Sequence, residues 1–108
     1  MFIEPLPFKV LRVSNPAELR KVTQLRYEAY ARHLPAFAKF LALPEPRDFE
    51  DDNIIFLAVS KDDGMPLATM RIHTNRIRSL PLEEVVALPD TMRFSALSEA
   101  GRFSVASM

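Results

Sequence analysis

Apolar and polar positions alternate in short runs along this chain, and early on they switch once to helical spacing. FKVLRV, residues 8–13, reads as a first strand. SNPAELRKVTQLRYEAYARHL follows, with Leu19, Val22, Ala29 and His33 on one helical face and Leu25 and Tyr30 beside it. Asn15 predicts the N-cap, Pro16 the first helical position, and Glu18 lies three past the cap. The helix is expected to run to about His33 and to stop before Pro35. PAFAKFLALPEPRDFEDDN, 35–53, predicts a short helix at most and then a loop. NIIFLAVSKDDGMPLATMRIHT predicts two strands, 54–60 and 67–73, joined through an Asp63-Gly64 turn. IIFLAV is apolar throughout, so its strand is expected to be central and covered on both faces. Further on, 82–88 predicts a short helix stopped at Pro89, with another helical turn from Asp90 or Thr91. RFSVAS, 102–107, predicts a last strand with Phe103, Val105 and Ser107 on one face. The order strand, helix, strand, strand, helical segment, strand predicts one α/β (α+β) domain over residues 1–108, its first half mostly antiparallel.

Composition narrows the function classes. Fourteen basic and fourteen acidic side chains cancel, which removes the electrostatic argument for a general nucleic-acid binder. Cysteine is absent, so disulfides, a thiolate nucleophile and sulfur metal ligands are excluded. With two histidines, no metal site is expected. MFIEPLPFKV does not read as a signal peptide, and the longest apolar run, 54–59, is far too short to span a membrane. A cytoplasmic protein is expected.

The candidate chemistry lies in a few charges set among apolar residues. Arg26 falls within or beside the apolar stripe of the first helix. Either its stem covers apolar surface while the guanidinium reaches water, or it crosses to the acids Glu50, Asp51 and Asp52, with Asp52 the chosen partner. Arg71 shares a strand face with Thr69 and His73; it is either solvated or paired across the sheet with Glu99. His73 reads as a surface or core-edge residue. Glu99 and Arg102 bracket Gly101, which permits a bulge that re-aims one of them. They form either an ordinary strand-entrance pair or a proton acceptor, Glu99, with Arg102 as orienter or anion contact.

Five segments, LRYEAY (25–30), the acids before IIFLAV, ATMRIHT (68–74), LPLEEV (80–85) and EAGRFSV (99–105), together resemble a known family. They look like the N-terminal half of the GNAT-like group that contains the N-acyl amino acid synthases and acyl-homoserine-lactone synthases. The resemblance runs from about Val10 to Met108. Arg26 matches the family's helix arginine, Asp52 (with Asp48 or Asp51) its acids, Arg71 its strand arginine, and Glu99, Arg102 and Phe103 its fourth-strand motif. Ala68 stands where the family has glycine and Gly101 where it has serine; tryptophan is absent, which favours the amino-acid-acylating or an uncharacterised branch over lactone synthesis.

The resemblance implies transfer of an acyl group from a thioester, acyl-CoA or acyl carrier protein, to an amine such as an amino acid. Glu99, Arg71 and Arg102 would be the catalytic residues, with Glu99 as base or base-orienter; Arg26 and Asp52 would complete an acceptor-side charged cluster. It also implies that the donor-binding half is missing, so that this chain alone would be inactive or weakly active and would bind no cofactor tightly. The competing expectation is a small non-enzymatic module that self-associates as a homodimer through an exposed strand 102–107, or binds a partner, with its charges structural.

Overall fold

The computed structural model describes residues 6–107. Strand β1 (Phe8–Arg12) leads into helix α1 (Pro16–Ala31) and helix α2 (Pro35–Leu41). A 3-10 turn at Pro46–Phe49 precedes β2 (Asn53–Ser60) and β3 (Pro66–Thr74). A second 3-10 turn at Pro81–Glu84 and a one-turn helix α3 (Asp90–Arg93) connect to β4 (Ser98–Val105). The strands form one sheet in the order β1-β2-β3-β4, and every neighbouring pair is antiparallel. The class is therefore α+β, with no parallel pair among the described residues.

The start of α1 follows from its cap. The Glu18 N–H donates to Asn15 Oδ1 at 2.8 Å, and Glu18 Oε1 accepts from the Ser14 N–H at 2.8 Å. Two otherwise orphaned donors are thus satisfied at the helix entrance. The buried face of α1 is Val22, Thr23, Leu25 and Arg26. His33, expected on that face, is exposed, because the helix ends at Ala31 and the chain turns into α2 at Pro35. Between β2 and β3, Gly64 adopts φ 71° and its N–H donates to the Ser60 carbonyl at 2.9 Å, a conformation glycine takes without a Cβ penalty.

β2 is central, but only one of its faces is covered. Ile55, Leu57 and Val59 are buried with Val22 and Leu25 of α1, and Leu11, Val13, Leu19 and Ala106 pack around them. On the opposite face Ile54, Phe56 and Ala58 alternate out half-buried, opposite Ile72, Met70 and Ala68 of β3. Continuous apolarity on β2 thus reflects one buried and one half-covered face.

Two other expectations change. The helix expected over 82–88 is a 3-10 turn ending at Glu84; Val85 beyond it is 82% exposed, so no apolar face is buried to extend it. β4 begins at Ser98, which puts Glu99 inside the strand and not at its mouth. Phe103 and Val105 are both exposed, and Ser107 lies past the end of β4. The β3–β4 ladder pairs Thr69 with Ser104 but Arg71 with Gly101, so Arg102 and Phe103 stand opposite Met70 alone. This is a β-bulge. Its left-handed residue is Arg102, at φ 52°, and not Gly101.

Candidate functional site

Thr69, Arg71 and His73 project from β3 onto the face that α1 covers, as the two-residue period of a strand requires. All three are buried. Arg71 therefore has no solvated face, and its guanidinium must find anions inside. They come from the 3-10 turn at 46–49. The Asp48 N–H donates to the Glu45 carbonyl at 2.9 Å and the Glu45 N–H to Asp48 Oδ2 at 2.7 Å, which closes the turn and holds the two carboxylates together.

Three arginines from three elements converge on that pair. Arg26 of α1, at 0% exposure, donates through Nη1 and Nη2 to Asp48 at 2.8 and 2.9 Å. Arg71 of β3 donates through Nη1 to Asp48 Oδ1 at 2.8 Å and to Glu45 Oε2 at 3.1 Å. Arg102 of β4 donates through Nε and Nη2 to Glu45, both at 2.9 Å, and its guanidinium carbon lies 5.3 Å from the centre of the Phe37 ring. Two of the three contacts are forked, the geometry that makes guanidinium–carboxylate pairing strong. Three guanidiniums against two carboxylates leave an excess of one positive charge.

His73 extends the network. Its Nε2 accepts from Arg71 Nε at 2.8 Å, so the imidazole is neutral and carries its proton on Nδ1. Nδ1 is buried and has no partner among the described residues. Burial, then the charges of Arg71 and Arg47, hold the His73 pKa below its ordinary value. For Asp48, burial pushes upward, but bonds and charge from Arg26, with Arg71 behind, outweigh it and hold the carboxyl low. Glu45 behaves alike: burial raises its pKa, and Arg102, Arg71 and Arg26 together bring it below the ordinary carboxylate range.

In front of this network opens a cleft of about 500 Å³. Arg71, His73, Glu99, Gly101 and Arg102 line its sheet side, and Glu45, Arg47, Glu50 and Glu84 its loop side. Glu99 faces His73 across the β3–β4 ladder and accepts from the Leu82 N–H at 2.9 Å. Arg47 bridges to Glu84 across the cleft. Acids and guanidiniums thus share one concave surface, which suits a small ligand carrying an ammonium, a carboxylate or both.

Arg71, Glu99 and Arg102, expected to act together, do line one cleft. Their expected pairings differ. Arg71 opposes Gly101 in the ladder, not Glu99, and bonds Asp48 and Glu45 instead. Arg102 is held by Glu45, so it does not orient Glu99. Arg26 does cross to an acid, but the acid is Asp48. Asp52 is buried at the foot of β2, its carboxylate oxygens lack hydrogen-bond partners among the described residues, and its nearest cation is Arg78 Nε at 3.9 Å. It stands outside the cluster because the turn at 46–49, and not the segment after it, lies beneath Arg26. Asp51 is exposed. His73, expected at the surface or the core edge, is buried because β4 pairs along its side of β3.

Glu45 is the residue that sequence reasoning missed. Its signal is an acid immediately before Pro46 with a second acid three positions on, the spacing of a helical-turn start. Among the described residues, no group of three His, Cys, Asp or Glu side chains is placed to hold a metal ion, and no helix is long and apolar enough to cross a membrane. No family model matches the chain, and neither a curated protein nor a solved structure matches it.

Proposed function

We propose that this chain is an N-acyltransferase-like protein built as the N-terminal half of a GNAT-like domain, whose mixed-charge cleft receives an amine such as an amino acid. The observation that carries the reading is the meeting of Glu99, Arg71 and Arg102 in one cleft beside a β4 bulge. An amine must lose a proton before it attacks a thioester, and Glu99 supplies a carboxylate for that step, directly or through water. Attack on the carbonyl carbon then gives a tetrahedral oxyanion, and the thiol of coenzyme A or acyl carrier protein leaves with a proton as the amide forms. A bulge releases backbone N–H groups from the ladder, which makes it a suitable donor site for that oxyanion. Arg71 and Arg102 fix the acceptor's position and shape the local field. Arg26 and Asp48 support Arg71 from behind.

The test is acyl transfer from coenzyme A and carrier-protein thioesters to a panel of amino acids, with the amide detected by mass spectrometry on the protein as isolated from its source. Glu99→Gln is expected to lower the rate about 100-fold or more with the fold intact. Wild-type rates in Glu99→Gln would overturn the reading.

One observation favours a second reading. β4 is an edge of the sheet, and it exposes Phe103 and Val105. Such an edge can pair with the same strand of a second copy. In that case the charged network is structural.

A further inference from the structure

A second concave surface lies where the end of β1 and the start of α1 meet the 3-10 turn and the first residues of β2. Its volume is about 730 Å³. Val13, Leu19, Phe49, Ile54 and Ile55 supply apolar walls, and Phe49 is 68% exposed there.

The polar groups on this surface are already engaged. Asn15 Oδ1 accepts from the Glu18 N–H, and Ser14 bonds the Glu18 carboxylate through both its N–H and its hydroxyl. Asn53 Nδ2 donates to the Arg47 carbonyl at 2.6 Å and to Glu50 Oε2 at 3.1 Å. Asp48 accepts from Arg26 and Arg71. A ligand made of polar groups would have to break these bonds. What remains to a ligand is apolar surface and two exposed arginines, Arg12 and Arg20, at the rim. No ion pair among the described residues engages either one.

We infer that this groove binds an anionic amphiphile, a single alkyl chain with a carboxylate head, the chain against Leu19, Phe49 and Ile55 and the head between Arg12 and Arg20. Burying an alkyl chain supplies the affinity, and the two guanidiniums select a negative head over a neutral or positive one. The inference does not rest on the acyl-transfer reading. The acyl-transfer reading rests on Glu99, Arg71 and Arg102, none of which lines this groove, so failure here leaves that reading intact, and the reverse holds too.

The test titrates the protein with laurate below its aggregation concentration, with dodecylamine and butyrate as comparisons. Saturable one-to-one laurate binding is expected, with dodecylamine and butyrate at least about tenfold weaker, the loss of one charge-assisted contact or of most of the buried chain. Amide chemical shifts should move in 12–20 and 49–55 and stay put at Glu99 and Arg102. Arg12→Gln with Arg20→Gln, and separately Phe49→Asp, should each weaken laurate about tenfold or more. Dodecylamine binding as tightly as laurate, shifts centred elsewhere, or affinity unchanged in both variants would each overturn the inference, as would no binding at all.

Discussion

Asp48 is the hub of the site: both oxygens of its carboxylate are taken by Arg26 and Arg71, and its side chain is wholly buried. Neutralising it would leave three guanidiniums, Arg26, Arg71 and Arg102, to share the single carboxylate of Glu45. Asp48→Asn is therefore expected to cost about 3–5 kcal/mol in urea unfolding, the range for breaking one side of a buried ion pair. Asp52→Asn should cost far less, because the carboxylate it removes is buried without hydrogen bonds among the described residues. Equal losses in the two variants would show that Asp48 is not the hub. At this scale the sequence marked the arginines better than their partners. Arg26 and Arg71 stand out because a guanidinium on an apolar helix face or an alternating strand needs an anion. The acid-Pro-x-acid spacing at 45–48 marks a turn start, but it does not say that Glu45 and Asp48, rather than Glu50, Asp51 or Asp52, supply it. That choice depends on how the segment 42–52 folds back, which is set by tertiary packing and leaves no periodicity. His73 was obscured for the same reason: its burial comes from β4, which arrives from far along the chain.

At the scale of elements, β4 is the most informative strand. Its bulge holds Arg102 at positive φ, a conformation that costs a non-glycine residue about 1–2 kcal/mol. The forked bond to Glu45 and the contact with the Phe37 ring offset that strain, and the outcome is a guanidinium aimed into the cleft. The same strand carries the self-association reading. If its edge pairs with a second copy, sedimentation should show a concentration-dependent dimer, and Phe103→Lys should leave monomer, since lysine on an edge strand opposes pairing. A wild-type chain that sediments as monomer at every concentration would remove that reading. Local signals fixed the elements with caps and alternation, namely β1, α1, β2 and β3, to within a residue or two at most ends. The stretch 74–98 was harder to read, because its turns are short, exposed and held by single bonds such as Leu82 N–H to Glu99.

For the whole molecule, the buried charges set how stability responds to acid. His73 has a lowered pKa in the fold, so below its ordinary value of 6.5 the unfolded chain takes up a proton that the folded chain refuses. Stability then falls as pH falls. Asp48 and Glu45 act in the same direction: both are held below their ordinary values of 3.8 and 4.5, so acidification through that range protonates the unfolded chain first. Thermal melts are expected to be flat above about pH 7, to decline from about pH 6.5, and to steepen below about pH 4.5. A melting temperature that rises on acidification would contradict the ion network. The acid pair at 45 and 48 has a further consequence. One short turn holds the only carboxylates among the described residues that Arg26, Arg71 and Arg102 bond, from α1, β3 and β4. Lifting that turn would strand all three cations at once, so it cannot fray alone. It opens with much of the molecule or not at all, which makes the segment joining α2 to β2 a cooperative clasp rather than a loop.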